Sequence, residues 1–258
     1  MYRIIPIPLH PKSNLMIKIS HCRIKAIIKG TYCLTKTVRF FYEQNQITSV
    51  NKIAMKILKE DVRSRIVIAA RREFINNGFR KTSMRTISAR SGVVLGNIYN
   101  YFKTKDDIFY AVLRPLLAVL DERMSSYHIE HNKIEQLGFS MQGQKDLLKE
   151  TLKIIFLYKE ELKLLLFESK GTSLEAFREN FIEKQIAISK EYIDQMQKVY
   201  PRIQTNVSSL FFRLSSSTWV TIIGEIVSST EIHKEEAKQA LSEYIRYNTA
   251  GWRELINQ

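Results

Sequence analysis

A chain of 258 residues, 45% hydrophobic and 26% charged, holds enough apolar material for one large domain or two small ones and is not compositionally disordered. The net charge of +14 is unevenly spread: residues 1–54 carry nine Lys+Arg and one acid (+8), residues 55–130 fourteen and eight (+6), and residues 131–258 seventeen and seventeen (0). A basic first half before a neutral body is the distribution of a polyanion-binding module joined to a second functional domain. Only nine glycines and five prolines punctuate the chain, which favours an all-α fold. No run of about eighteen apolar residues is uninterrupted, and the first twenty residues lack the pattern of a signal peptide. A cytoplasmic protein away from membranes is expected. Cys22 and Cys33 are the only cysteines and build neither a disulfide framework nor a zinc-ligand set.

Residues 1–54 mix Ile, Tyr, Phe and Lys without a sustained period of 3.6 or 2, and no domain is expected there. Met55 is followed at once by KILKEDVRSRIVIAARREF, the start of an amphipathic helix. Two readings of the first 54 residues follow. In one, translation naturally starts at or near Met55 and the preceding stretch is not native. In the other, it is a basic arm adding phosphate or minor-groove contacts.

From residue 60 the helical pattern is strong. Ile66, Ala70 and Phe74 fall on one face, and Asn77-Gly78 supplies a stop. Ser83 is placed to cap a short second helix through Met84, Ile87 and Ala89. Gly92 can take the positive φ that ends it, and helical spacing resumes at Ile98 and Phe102. Two short helices joined by a glycine turn, behind a longer one, predict a helix-turn-helix over residues 55–105.

In such a motif the second short helix, here residues 95–101, presents its N-terminal end to base edges in the major groove. Gly96 lets the helix end approach the duplex, and Asn97 offers an amide suited to adenine. Tyr99, Tyr101 and Lys105 suit phosphates, as hydroxyl donors and as a cation. Thr104 is placed to cap the next helix, while Ile98 and Phe102 belong to the core.

The ordered run I-x-x-A-A-x-x-x-F from Ile66, N-G-F-x-x-T-S-M-R-x-I from Asn77 and S-G-V-V-L-G-N-I-Y-N-Y-F-K-T-K-D-D-I-F from Ser91 resembles the DNA-binding domain of the tetracycline-repressor (TetR) family. The resemblance covers about a fifth of the chain. It implies a phosphate contact by Thr82 or Ser83, a position near the DNA backbone for Arg85, and a recognition surface of Gly96, Asn97, Tyr99, Tyr101 and Lys105. Val94 and Leu95 depart from it, standing where the family often has a hydroxyl cap followed by lysine.

Pro115 interrupts DDIFYAVLRPLLAVLDERMSSY, which predicts a kink near Arg114, in the connector to the body. Residues 106–258 form the second domain, where HNKIEQLGFSMQGQ reads as a connection. Residues 145–171, 174–200, 207–229 and 234–256 read as successive helical segments. Leu210, Leu214, Trp219 and Ile223 spread beyond one stripe, suggesting burial on two sides. The resemblance implies that the last two helices pair two copies in a four-helix bundle, giving a homodimer on a palindromic operator. It also implies release by a small-molecule effector, whose binding residues the sequence leaves unassigned. Aromatic and methionine residues between 139 and 227 can line a cavity as readily as a core.

No enzyme is expected: there is no G-x-S-x-G, P-loop, Rossmann glycine cluster or H-E-x-x-H. His128 and His131 are the one close histidine pair, without a second ligand pair, so neither a metal nor another cofactor is expected. The expected function is a sequence-specific DNA-binding regulator, a repressor released by its effector.

Overall fold

The computed structural model describes residues 36–129, 140–203 and 206–256. Every regular element among them is a helix: α1 Lys36–Lys81, α2 Met84–Ser91, α3 Leu95–Ile98, α4 Lys105–Ile129, α5 Met141–Leu157, α6 Lys159–Phe167, α7 Phe177–Val199, α8 Ser209–Ser228 and α9 Lys234–Ile256. The chain divides into two compact units, Met1–Glu60 and Asp61–Gln258. In the first, α1 is helical from Lys36, and Met55, Ile57 and Leu58 at its end are exposed. Both readings of residues 1–54 fall mainly outside the described residues, as does His131.

In the second unit, α1 breaks at Gly78, whose φ of 72° suits only a residue without Cβ. Ile66, Ala70 and Phe74 line its inner face at full burial, as their spacing predicts. Phe109 of α4 meets Phe74 edge-on at 5.2 Å and Phe79 at 5.0 Å, joining the beginning of α4 to the three helices before it. Ile87, Ile98 and Phe102 complete this core from α2, α3 and the turn beyond. The same core continues through Leu116, Ile155, Leu165 and Leu241, while Ile182, Ile193, Phe212 and Ile256 form a second one.

Pro115 does not interrupt α4, which is helical from Lys105 to Ile129. Proline is exposed there, while Leu113 and Leu116 on either side are fully buried and hold both halves against the bundle. The single segment expected over residues 145–171 is two helices, separated at Tyr158 (φ −122°, ψ 29°). Its N–H closes α5 on the Ile154 carbonyl at 3.0 Å, and its own carbonyl accepts the Leu162 N–H at 2.8 Å. Helix α5 also starts earlier than expected, at Met141, because Ser140 Oγ accepts the Gly143 N–H at 3.0 Å.

Helix α6 packs on α4, α5, α7 and α8, with α7 along α8 and α9 against α5. Among the described residues α8 alone is long and apolar enough to cross a membrane, and it contributes Phe212, Val220, Ile226 and Val227 to the cores.

Candidate nucleic-acid interface

Local hydrogen bonds set the three-helix head. Ser83 Oγ accepts the Thr86 N–H at 3.1 Å while Thr86 Oγ1 accepts the Ser83 N–H at 3.0 Å, a reciprocal box at the start of α2. Gly92 closes α2 in the left-handed region (φ 65°), its N–H on the Ser88 carbonyl at 3.1 Å. Arg65 of α1 ties this turn down by donating to the Ser91 carbonyl at 3.0 Å. Arg90 pairs with the buried Glu73 of α1, which also accepts from Asn77 Nδ2 at 3.2 Å. These arginines brace the head internally.

Helix α3 starts without a side-chain cap, since Val94 at its N-cap is 77% exposed and offers no acceptor. The α-helix is shorter than the expected 95–101. It covers Leu95–Ile98 and continues as turns, with the Asn100 N–H on the Asn97 carbonyl at 3.1 Å and that of Tyr101 on Ile98 at 2.9 Å. Ile98 and Phe102 anchor it inward. Asn97 and Tyr99 are exposed, and Asn97 Oδ1 accepts from Asn100 Nδ2 at 3.2 Å. A Cβ on Gly96 would meet nothing within 4 Å of the protein, so the surface there is open. Arg85 is exposed on α2 beside the Ser83 cap.

Three of the expected contact residues are placed differently. Thr82 is 2% exposed, and its hydroxyl donates toward the Gly78 carbonyl at 2.8 Å and the Glu73 carbonyl at 3.2 Å. Of the two adjacent hydroxyls, Ser83 alone faces solvent. Tyr101 is half-buried against the core. Lys105 Nζ donates to the carbonyls of Phe79 (2.7 Å) and Thr82 (2.8 Å) and lies 4.1 Å from the Phe79 ring centroid. Burial pushes its pKa down. Lys105 is therefore chiefly a bracket across the α1–α2 turn.

The exposed lysine of the pair is Lys103, two residues earlier, whose Nζ donates to the Tyr99 carbonyl at 3.2 Å and so lies at the end of the turn that follows α3. The sequence reading names Lys105 alone; the K-T-K run holds a second lysine, and the long-range carbonyls that claim Lys105 leave Lys103 the exposed one. Between them, Thr104 caps α4 as expected: its Oγ1 accepts the Asp107 N–H at 3.0 Å, and Asp107 Oδ2 accepts the Thr104 and Lys103 N–H groups at 2.8 and 3.0 Å.

Residues of α4 through α9 line a partly open cavity of about 260 Å³. Leu162 and Leu166 of α6, Phe181 of α7 and Trp252 of α9 give it apolar walls, with Trp219 stacked on Tyr244 at 5.8 Å. Burial and the neighbouring Tyr247 push the Tyr244 phenol up. Among the described residues, its charged lining residues are Arg123 and Arg178. Part of this lining, on α4 and α9, lies outside the 139–227 segment, since one-dimensional periodicity does not separate a cavity wall from a core face. Among the described residues no group of three or more His, Cys, Asp or Glu could hold a metal ion.

Residues 66–112 match the family described as bacterial regulatory proteins, tetR family. The fold is similar to that of a TetR-family transcriptional regulator from Syntrophomonas wolfei, at 18% identity and TM-score 0.55, over 75% of this chain and 97% of that one. It is also similar to NalD, the secondary repressor of the MexAB-OprM multidrug efflux pump in Pseudomonas aeruginosa, at 18% identity and TM-score 0.52, over 73% and 95%. A TetR-like transcriptional regulator from Rhodococcus sp. RHA1 aligns at 16% identity and TM-score 0.50, over 74% and 96%. Comparison with curated proteins returned no match.

Proposed function

We infer that this chain, which carries the tetR-family domain at residues 66–112 on a TetR-regulator fold, is a sequence-specific DNA-binding transcriptional repressor. The observation that carries this reading is the short α3, with Ile98 and Phe102 buried behind it and Gly96, Asn97 and Tyr99 exposed in front. A carboxamide can pair in bidentate fashion with adenine in the major groove. Ser83, Arg85, Tyr99 and Lys103 then contact phosphates on either side, and Tyr101 supports them from its half-buried position.

Residues 55–105 act as the reading head and residues 106–258 as the effector and pairing domain of a cytoplasmic homodimer. Leu210, Phe211 and Leu214 of α8 and Tyr247 of α9 are exposed, an apolar surface suited to a two-fold contact with a second copy. Pairing sets two α3 helices at the spacing of successive major-groove turns on a palindromic operator. A small molecule in the cavity releases the operator by favouring a head separation that does not fit it. Being a repressor is supported by the likeness to NalD.

The test is a mobility-shift titration of the full chain on the DNA upstream of its own gene against a scrambled competitor. Preferential binding of the native sequence is expected, and Asn97→Ala narrows that preference by about 1–3 kcal/mol. Equal affinity for both DNAs makes the chain a nonspecific polyanion binder instead.

A further inference from the structure

We propose that the cavity selects a planar aromatic molecule over a saturated one of the same skeleton. This deepens the reading of the cavity as the effector site and rests on it. The lining is two-sided. Helices α4, α5 and α6 bring aliphatic side chains such as Leu120, Ile154, Ile155 and Leu162, and among the described residues none of their lining groups is aromatic. Every lining ring stands on the other three helices, two on each: Phe177 and Phe181 on α7, Phe212 and Trp219 on α8, Tyr244 and Trp252 on α9.

These rings differ from those of an ordinary apolar core. Both tryptophans of the chain are among them, and six of the 25 lining residues are aromatic against 10% of the whole sequence. Phe212 is buried, but the other five keep part of their surface accessible, whereas Phe74, Phe79 and Phe109 are closed off together. The lining rings also form three pairs nearer to parallel than to perpendicular: Trp219 with Tyr244 at 5.8 Å and 29°, Phe177 with Phe181 at 5.7 Å and 31°, and Phe212 with Trp252 at 5.3 Å and 41°. Phe109, by contrast, meets Phe74 at 86°. A near-parallel pair can be extended by a further ring, offset over a face or set against an edge, which gains attraction beyond the area it buries. A saturated ring has no quadrupole and loses that gain. It buries as much apolar area on the aliphatic side, so a cavity that is merely hydrophobic would not favour the flat molecule. Gln185, Ser215 and Asn248 place hydrogen-bonding groups on the aromatic side, which suits a probe carrying one hydroxyl.

Equilibrium dialysis of the full chain without DNA, against 2-naphthalenemethanol and decahydro-2-naphthalenemethanol, isolates this difference. Both probes are neutral primary alcohols on one bicyclic skeleton, so the charged groups of the lining act alike on the two. The aromatic alcohol is expected to bind about fivefold more tightly, the fold-change of one aromatic pair. Tyr244→Leu should cut that preference to about twofold, while Tyr244→Phe, which restores the ring, keeps it. Phe181→Leu, on a different helix, should cut it in the same way, so the outcome does not hang on the folding of one variant. A saturated alcohol bound as tightly as the aromatic one, no binding of either, or leucine variants that keep the full preference overturns the proposal. Aromatic-selective binding in a chain that does not discriminate DNA sinks the regulator reading alone. Selective DNA binding together with equal affinity for the two alcohols sinks this inference alone.

Discussion

Arg71 Nε donates to Glu161 Oε1 at 2.5 Å, joining α1 to α6, whose Leu162 and Leu166 line the cavity. The Glu161 hydrogen bond is the first cause holding the Arg71 pKa above its usual value, against the opposing effect of burial. Glu161 is 7% exposed, and its Oε2 has no hydrogen-bond partner among the described residues. The carboxylate therefore depends on this one guanidinium.

Removing Arg71 strands that buried charge, whereas removing both charges does not. Arg71→Met is expected to lower unfolding stability by about 1–3 kcal/mol, below the full cost of a broken buried pair because Arg71 is partly exposed. Arg71→Met/Glu161→Gln should recover part of that loss. A urea-denaturation double-mutant cycle measures it, and purely additive effects would show that the pair is not coupled.

Lys103 and Lys105 should separate cleanly in a paired assay. Lys103→Ala is expected to reduce the slope of log affinity against log salt by about 1, with stability unchanged. Lys105→Met, which leaves the Phe79 and Thr82 carbonyls without their donor, should cost about 1–3 kcal/mol of stability. The reverse pattern would return the phosphate role to Lys105.

Thr82 and Ser83 offer a similar contrast. Thr82→Val keeps the shape but removes the hydroxyl shared by two carbonyls, and is expected to cost about 1–2 kcal/mol. Ser83→Ala loses the α2 cap at about 1 kcal/mol and also weakens DNA binding. If Thr82→Val weakens DNA binding at unchanged stability, the inward placement of its hydroxyl is wrong.

Tyr192 on α7 provides a pH signature. Burial first, and the neighbouring Tyr200 second, push its phenol from 10.0 up to about 12. Folding favours the neutral form, so its contribution is complete below pH 10 and is lost as pH rises through about 12. Tyr192→Phe should flatten the fall in unfolding free energy across that interval. An unchanged slope assigns the alkaline loss to other groups.

The parts of the fold legible in sequence are those fixed within a few residues. Ser83 and Thr104 cap the helices expected of them, and Gly78 and Gly92 take the positive φ their neighbours suggested. Ile98 and Phe102 are buried, as their spacing predicts. What sequence could not reveal depends on distant partners. The inward turn of Thr82 needs the Glu73 carbonyl nine residues away, and the fate of Lys105 needs carbonyls 23 and 26 residues back. The break at Tyr158 carries neither Gly nor Pro to announce it. The cavity joins residues from Leu120 to Trp252, a span no periodicity can connect.

The Lys105 bracket carries one more consequence. Because the first residue of α4 holds the carbonyls of Phe79 and Thr82, a tilt of that helix drags the whole turn with it. The three helices then swing as one stiff lever, and its protected amides should exchange with deuterium at the same pace whether the cavity is full or empty.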